Sequence, residues 1–427
     1  MPDSDAVMTN SAVNNSTPII QAPQVKMVRF DVWLDRLACP EVRLFNRSWP
    51  TFQVCGCAGA AIAVLLAITL ASHAGRSQLV MIGIALASIL TFFGLVMATK
   101  IITGEERIIY YHHEIAVMVA AAFLLWLLRQ PILPYLDVTI LCVGGFLVCG
   151  RVGCLMVGCC HGRPHRWGVC YRKEHADAGF TPYFVGVRLF PVQAVESLWV
   201  FCIVATGATF VLNGRPAGAA LAWYVVTYDL GRFCFEFLRG DPDRSYLWGF
   251  SQPQWISLLL MCGVVWAETA GVLPLHLWHV AATACLALAM AAVSLARRFR
   301  RTAKHRLLHP RHVREMAEAL KHVSDLAAET KAAGRWTVMP PRDSVSVRLR
   351  IACTSLGVQI SAGKVREAAG DICHYTLSYS DGGMTEEVAR IVARLIVQLN
   401  RASDDGEFLK GNRDVFHLLI RPVSEGG

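Results

Sequence analysis

Long apolar stretches separated by short polar segments fill the chain from residue 52 to residue 295. Eight of these stretches are long enough to cross the roughly 30 Å hydrocarbon core of a bilayer. They cover residues 52–72, 78–99, 115–133, 138–157, 189–212, 218–238, 255–273 and 275–295. Only Pro274 separates the last two, so two short spans, one span with a re-entrant piece and a broken helix all fit. The pattern predicts an all-α polytopic membrane protein with seven to eight transmembrane helices.

The pattern changes after residue 295. A basic collar follows, formed by Arg297, Arg298, Arg300, Arg301, Lys304 and Arg306. The collar indicates either a juxtamembrane anchor to anionic lipid or a solvated run of charge. Farther on, helical spacing over 312–333 and 386–399 alternates with strand-like segments over 344–360, 373–379 and 415–420. These elements predict a small soluble α+β domain, and the lack of a catalytic motif in it favours a regulatory or interaction role.

Four segments follow from this pattern. They are a polar N-terminal segment (1–50), a transmembrane domain (51–297), a basic collar with a helical linker (298–340) and the small α+β domain (341–427). The first segment lacks the short apolar core of a cleavable signal peptide. Hydrophobic residues make up 54% of the 427 residues and charged residues only 17%, which favours a membrane protein over a soluble enzyme.

One apolar stretch contains a ladder of polar side chains. Tyr228, Arg232, Glu236 and Arg239 follow one another at spacings of four, four and three residues. An α-helix turns about 100° per residue, so all four lie on one stripe of its surface. An ionised group at membrane depth costs about 2.5 to 3.5 kcal/mol, and such groups normally face a bundle interior or a wet cavity. The ladder is therefore the first site candidate.

A second chemical feature is the glycine-rich run from residue 150 to residue 162. Its glycines at 150, 153, 158 and 162 remove bulk where a backbone could approach a ligand or a neighbouring helix. Arg151 places a permanently charged fork of five donors at the end of a span. The arginine could clamp a phosphate; equally, the glycines could only pack helices while Arg151 extends to the membrane surface.

Together these blocks resemble prolipoprotein diacylglyceryl transferases. The run 150–162, then Pro191, Gln193 and Glu196, then Tyr228, Arg232, Phe233, Glu236, Phe237 and Arg239, and finally Gln254 and Ser257 occur in that family's order and approximate spacing. The resemblance covers residues 52–275. It implies that the transmembrane domain moves the diacylglyceryl group of phosphatidylglycerol to the thiol of a lipobox cysteine, with release of glycerol phosphate.

The resemblance also implies roles for individual residues. Arg151 and Arg232 match the motif arginines and would bind the phosphate, as cations must when a phosphate monoester leaves. Glu236 would orient Arg232 from one helical turn away, and Tyr228 would donate a hydrogen bond from the same stripe. The substrate-binding residues would be Gly150, Gly153, Gln193, Glu196, Arg239 and His113.

A base for the thiol is expected at His112. The family has a histidine followed by two glycines before the arginine motif, and here His113 and Glu114 replace those glycines. A histidine can take a thiol proton near neutral pH, although an interfacial histidine pair could also only cap a helix, and either His112 or His113 fits. Typical members have an asparagine and a glutamate where this chain has Cys154 and Cys159, which puts the acceptor in question.

Cysteines and histidines cluster near the arginine motif. Cys149, Cys154, Cys159, Cys160 and Cys170 lie close in sequence to His161, His165 and His175. Two closed CxxC pairs are absent, so packing thiols are favoured over a zinc site. A disulfide from Cys159 or Cys160 to Cys170 is the alternative in an oxidising compartment. We expect neither a metal nor a cofactor.

The implied partners are phosphatidylglycerol, other membrane lipid and a prolipoprotein lipobox segment, with no nucleic acid. The resemblance implies a multi-pass protein of the bacterial plasma (inner) membrane with an outward-facing site, whereas the bias of basic residues places the site-bearing side in the cytoplasm. With an outward-facing site, seven spans would place the C-terminal tail domain inside the cell. Two other functions remain: a related phospholipid-dependent transferase with a different acceptor, and a non-enzymatic lipid-binding protein.

Overall fold

The structure is a computed structural model. It describes residues 29–44, 46–104, 110–242, 244–299, 306–332, 351–367, 370–400, 406–412 and 414–420. Residues 1–28 of the polar segment, residues 300–305 of the basic collar and residues 344–350 of a predicted strand lie outside this part of the chain.

Eight apolar helices form the membrane domain, and each corresponds to one predicted span. After a short helix α1 (Arg29–Leu37), they are α2 (Thr51–His73), α3 (Gln78–Thr103), α4 (Tyr110–Leu127), α5 (Ile132–Val157), α7 (Val192–Leu212), α8 (Ala219–Glu236), α9 (Gln252–Thr269) and α10 (Leu277–Phe299). Five of them, α2, α3, α5, α7 and residues 277–296 of α10, are long and apolar enough to cross a bilayer. The predicted polytopic membrane fold is confirmed. Around Pro274 the chain forms two separate helices.

Helix α5 lies at the centre of the membrane domain and packs against α2, α7 and α8. Glycines permit the closest contacts, since a Cβ atom on Gly144 would lie 2.5 Å from the Tyr224 ring and one on Gly207 would lie 2.5 Å from Leu141. Near the start of α5, the buried Asp137 carboxylate accepts hydrogen bonds from the backbone N–H groups of Gly218 (2.7 Å) and Leu221 (2.8 Å). This carboxylate satisfies the free amides at the N-terminus of α8.

Short elements close the opposite end of the bundle, between α5 and α7. They are β3 (Pro164–Cys170), α6 (Lys173–Asp177), a 3₁₀ turn (Pro182–Phe184) and β4 (Arg188–Leu189). Helix α1 packs on them: Asp31 and Asp35 accept hydrogen bonds from the backbone of Gly168 (3.0 Å) and Cys170 (2.7 Å). Part of the predicted polar N-terminal segment therefore belongs to the folded protein. A two-stranded hairpin, β1 (Glu41–Leu44) with β2 (Arg47–Pro50), connects α1 to α2. Another, β5 (Tyr246–Leu247) with β6 (Phe250–Ser251), lies between α8 and α9.

The C-terminal part is an antiparallel sheet of five strands with two helices, as the predicted α+β domain requires. The elements are α11 (Pro310–Ala332), β7 (Ile351–Cys353), β8 (Val358–Glu367), β9 (Gly370–Tyr379), α12 (Glu386–Leu399), β10 (Gly406–Lys410) and β11 (Phe416–Ile420). The order of the strands in the sheet is β10, β11, β9, β8, β7. The strand expected over 344–360 is divided, because a turn at 354–357 separates β7 from β8. Strand β10 was not predicted.

The C-terminal domain packs on the loops that close the membrane bundle. One continuous core joins Tyr171 and Phe184 of those loops to Met316 of α11 and Val388 of α12. Arg311 of α11 also donates hydrogen bonds to the backbone carbonyls of Pro242 (3.2 Å) and Arg244 (3.1 Å). The domain therefore lies at the same end of the bundle as the loops. This position agrees with an even number of membrane crossings, such as eight, and not with seven.

Candidate active site

Two backbone segments pair at the loop-covered end of the bundle and fix the position of Arg239. Arg163 N–H donates to the Leu238 carbonyl (3.0 Å), and Gly240 N–H donates to the His161 carbonyl (3.0 Å). Gly162 lies opposite Arg239 in this short bridge. A Cβ atom on Gly162 would lie 2.3 Å from the Phe190 carbonyl oxygen, so the close approach requires glycine here.

Glu196 of α7 joins two arginines from different parts of the chain. Arg151 Nη2 of α5 lies 3.0 Å from Glu196 Oε1, and Arg239 Nη1 lies 3.6 Å from Glu196 Oε2. The Tyr228 hydroxyl of α8 donates to Glu196 Oε1 at 3.4 Å. All four side chains are buried, and Glu196 is fully so. A carboxylate this deep is stable only when cations and donors surround it.

Glu236 forms a second centre beside the first. Arg232 Nη1 lies 3.0 Å from Glu236 Oε2, and Arg244 Nη1 contacts Glu236 Oε1. Asp241 connects the two centres, because its Oδ2 atom lies 2.9 Å from Arg239 Nε and 3.0 Å from Arg244 Nη2. Burial acts to raise the pKa of the Asp241 carboxyl, but the positive charges of Arg239, Arg244 and His161 together outweigh burial and hold that pKa below its usual range.

In the described chain these contacts make one cluster of four guanidinium groups and three carboxylates. Guanidinium groups bind carboxylate and phosphate oxygens through two parallel N–H donors, and each is always charged. The cluster has one more positive than negative group and lies at the end of an apolar bundle. Its arrangement suits an anionic phosphate group attached to a lipid.

The structure places the predicted residues of the arginine motif in this cluster or next to it. Gln193 of α7 donates to the Cys159 carbonyl at 2.8 Å, so it supports the end of α5. No atom lies within 4 Å of a Cβ built on Gly150, whereas a Cβ on Gly153 would lie 3.1 Å from Cys55 and 3.1 Å from Phe52. Gly150 thus adjoins open space, and Gly153 lets α5 approach α2.

The two histidines of α4 lie in different surroundings. His113 is buried, and its ring lies 4.7 Å from that of Phe92 in α3. His112 is exposed, and its ring makes an edge-to-face contact with that of Tyr111 at 4.5 Å. Among the described residues, Tyr111 interacts electrostatically with Arg232, Arg244 and Glu236, and Glu114 interacts with Tyr228. The structure therefore brings the neighbours of His112, rather than His112 itself, to the cluster.

Sequence reasoning missed several residues of the site. Arg244 and Asp241 lie in the loop after α8. Glu114 was noted only as a residue that replaces one of the family's glycines. Asp229, buried in α8, interacts with Ser257 of α9. A usable signal was present for one pair, because the acidic and basic residues at 241 and 244 directly follow the polar ladder.

The three cysteines after the arginine motif meet in space. The Sγ atoms of Cys154, Cys159 and Cys160 all lie within 4.8 Å of one another. Hydrogen bonds with Cys154 and Cys159, supported by the charges of Arg239 and Arg151 against the cost of burial, hold the pKa of the Cys160 thiol well below its usual range. All 15 cysteines are free thiols, so the alternative disulfide to Cys170 is not formed. His175, one of the histidines near these cysteines in sequence, accepts a hydrogen bond from the Arg172 backbone N–H (3.2 Å).

Fold and site together define a polytopic membrane protein with a buried arginine–glutamate cluster at one end of its bundle. The family model for prolipoprotein diacylglyceryl transferase matches residues 51–269. This match covers more than half of the chain, and the chain therefore belongs to the prolipoprotein diacylglyceryl transferase family.

Individual relatives are similar over a shorter length. A phosphatidylglycerol–prolipoprotein diacylglyceryl transferase from Clostridium tetani is 33% identical over 111 residues, which is 26% of this chain and 42% of the relative. The corresponding protein 2 of Clostridium perfringens is 31% identical over 116 residues, or 27% of this chain and 43% of the relative. A relative from Dehalococcoides mccartyi is 33% identical over 116 residues, again 27% and 43%. The chain thus spans less than half the length of these curated relatives.

Proposed function

We propose that this protein transfers the diacylglyceryl group of phosphatidylglycerol to the lipobox cysteine thiol of a prolipoprotein. The observation that carries the proposal is the convergence of Arg151, Arg232, Arg239 and Arg244 on Glu196 and Glu236 at one end of a membrane bundle. Membership of the family and the names of its relatives support the same reaction.

The reaction makes two demands on the site. The cysteine sulfur forms a bond to a glyceryl carbon while the bond from that carbon to a phosphate oxygen breaks, and glycerol phosphate leaves as an anion. The thiol proton must first pass to a base. Charge therefore builds up on the phosphate as the bond breaks, where fixed cations lower the barrier.

Arg151 and Arg232 are the proposed phosphate ligands. Each is held by a glutamate on one side, Arg151 by Glu196 and Arg232 by Glu236, both at 3.0 Å. These carboxylates fix the orientation of the guanidinium groups, so little reorganisation is needed when the phosphate binds. Arg239 supplies a further cation through Glu196, and the open space beside Gly150 leaves room for the headgroup.

For the base we keep the predicted histidine, His112, with His113 as its alternative. His112 is exposed at the start of α4, where a peptide thiol arriving from the membrane surface can reach it. Its neighbours Tyr111 and Glu114 interact electrostatically with the cluster.

A second acceptor class is favoured by one feature of the motif. Cys154 and Cys159 replace the asparagine and glutamate of typical family members, and they lie at the end of α5 that holds Arg151. A phospholipid-dependent transferase with the same donor and another acceptor would keep the arginine cluster and differ from typical members at these two cysteine positions.

Donor and acceptor can be tested together with the full chain in proteoliposomes. A lipobox peptide would be incubated with phosphatidylglycerol, and the product examined by mass spectrometry for a thioether-linked diacylglyceryl group. A peptide with serine in place of the cysteine and vesicles of phosphatidylethanolamine serve as controls. We expect product only with phosphatidylglycerol and the cysteine peptide. Release of glycerol phosphate without peptide modification would support the second acceptor class. If neither glycerol phosphate nor modified peptide forms, both proposed functions are contradicted.

We also propose that the protein resides in the bacterial plasma membrane with the site facing outward, as the family resemblance implies. The C-terminal domain would then be outside as well, because it packs on the site-bearing loops. Protease added to intact spheroplasts should remove the C-terminal domain. Protection of that domain until the spheroplasts are lysed would contradict the outward orientation and favour the charge bias.

A further inference from the structure

The end of helix α5 brings together three thiols that the proposed reaction does not use. Cys154 is buried in the last turns of the helix, Cys160 is half-buried and Cys159 is exposed. Their Sγ atoms all lie within 4.8 Å of one another. We propose that Cys154, Cys159 and Cys160 form a binding site for a thiophilic divalent metal ion, with Zn²⁺ as the expected occupant.

The backbone is shaped to bring these thiols together. Gly158 ends α5 in the left-handed conformation, with φ of 82° and its N–H bonded to the Cys154 carbonyl (3.0 Å). Cys160 also has a positive φ of 54°, which is uncommon for a residue with a side chain. This double reversal turns Cys159 and Cys160 back toward Cys154. Such strain persists where the surrounding structure fixes it, and it is concentrated at functional sites.

The spacing of the sulfur atoms is close to that of thiolate ligands on one metal ion. A Zn–S bond is about 2.3 Å long, so two thiolates on a tetrahedral zinc lie about 3.8 Å apart. The observed upper limit of 4.8 Å requires movements of about 1 Å or less to reach that distance. Cys159 is exposed and provides a path for the ion, and three protein ligands leave a fourth position to water.

Charge in the surroundings favours the same occupant. Three thiolates and one divalent ion have a net charge of minus one, and both Arg151 and Arg239 interact electrostatically with Cys160. The buried guanidinium groups would stabilise that anionic complex. Gln193 also holds the loop, since its amide donates to the Cys159 carbonyl at 2.8 Å, as an outer hydrogen bond does for many metal ligands.

The experiment uses the full chain in nanodiscs after removal of any affinity tag. The protein is incubated with Zn²⁺, separated from unbound metal and analysed for metal by mass spectrometry. Co²⁺ provides a second readout, because thiolate ligands give it a charge-transfer band in the near ultraviolet. We expect about one ion per chain and a charge-transfer band with Co²⁺.

Variants locate the ion. Cys159→Ser and Cys160→Ser should each weaken Zn²⁺ binding by at least about tenfold and reduce the Co²⁺ band, while the helices keep their circular dichroism. Cys57→Ser and Cys202→Ser replace exposed cysteines elsewhere in the membrane domain and should leave both readouts unchanged. Because Cys159 is exposed, its variant should fold even if a change at the buried Cys154 does not.

Three results would overturn the proposal. They are the absence of stoichiometric metal in the reduced native protein, equal loss in the control variants, and a disulfide between two of the three thiols that persists under mild reduction. The proposed transferase reaction does not enter any of these readouts. Its failure and the failure of the metal site are therefore distinguishable.

Discussion

At the scale of single residues, the site depends on carboxylates that hold arginines in place. Glu196 contacts Arg151 and Arg239, and Glu236 contacts Arg232 and Arg244. Breaking a buried ion pair by removing one partner costs about 3 to 5 kcal/mol, so these pairs resist change. Their net contribution to stability is small, because desolvation offsets attraction. Orientation of the guanidinium groups is the advantage that they provide.

The identity of the base can be decided by three substitutions in α4. His112→Gln should lower kcat about 10²- to 10⁴-fold with little change in KM, because general bases typically contribute this much. His113→Gln should affect activity mainly through packing on Phe92. His73→Gln, exposed at the other end of α2, is the control. Loss of kcat in Glu114→Gln alone, with His112→Gln fully active, would move the base to Glu114.

Residue spacing predicted part of this site and could not predict the rest. The ladder from Tyr228 to Arg239 follows from helical geometry, and Glu236 does pair with Arg232 one turn away. Arg244 reaches Glu236 across a loop, and Glu196 reaches Arg151 from another helix. Local periodicity does not determine contacts of that kind. The meeting of Cys154 with Cys159 and Cys160 likewise depends on two positive φ angles.

At the scale of elements, hydropathy located the eight apolar helices of the described membrane domain, because the bilayer sets the length and composition of such helices. Helix α1 was missed because its Asp31 and Asp35 made the sequence look like part of a polar segment. Their hydrogen-bond partners, the backbone N–H groups of Gly168 and Cys170, are more than 130 residues away in sequence. Strand β10 was missed as well. Its pairing with β11 comes from long-range contacts that a five-residue segment does not reveal.

The bridge between Gly162 and Arg239 should be sensitive to a single methyl group. Gly162→Ala would place a Cβ atom 2.3 Å from the Phe190 carbonyl oxygen, so the bridge must open and Arg239 must move. We expect activity to fall at least about tenfold, in line with the effect of small misplacements on catalysis. Gly263→Ala, where no atom lies within 4 Å, should retain activity. Equal activity of the two variants in the peptide-transfer assay would contradict this account of the bridge.

Acid should weaken the C-terminal domain through His312. Its Nδ1 bonds to the Leu307 carbonyl (2.8 Å) and its Nε2 to Thr354 Oγ1 (3.1 Å). Burial lowers the pKa of this imidazole below its usual 6.5. The unfolded state therefore binds the proton more readily, and stability that is complete above pH 6.5 falls as the pH drops below that value.

Thermal unfolding or hydrogen exchange of residues 351–420 at several pH values measures this effect. His312→Asn should flatten the dependence between pH 7.5 and pH 5.5, while His322→Asn, exposed on the same helix, should not. An unchanged slope in His312→Asn would assign the dependence to other groups.

At the scale of the whole molecule, the C-terminal domain and the site share one end of the bundle. Arg311 bonds to the carbonyls of Pro242 and Arg244, and Arg244 in turn contacts Glu236. The domain is thus three contacts away from Arg232, by way of Arg244 and Glu236. Its packing on the loops gives it a route to the site that a freely tethered domain would lack.

Arg311→Ala should therefore act on catalysis from outside the site. We expect a loss of activity of several-fold and faster hydrogen exchange in residues 237–251, because the loop loses two of its hydrogen bonds. Lys321→Ala removes an exposed cation from the same helix and should change neither readout. If Arg311→Ala leaves loop exchange and activity as in the native protein, the domain does not support the site.

In the proposed reaction the arginine cluster binds the phosphate of a lipid donor during transfer to a thiol. The most direct measurement is transfer of labelled diacylglycerol from phosphatidylglycerol to a lipobox peptide by the native protein, Arg151→Ala, Arg232→Ala and the control Arg215→Ala. Arg215 is exposed at the opposite end of the bundle. We predict that both site variants lose about 10²-fold or more in kcat while the control stays active. Transfer at native rates by folded Arg151→Ala and Arg232→Ala proteins would contradict the claim.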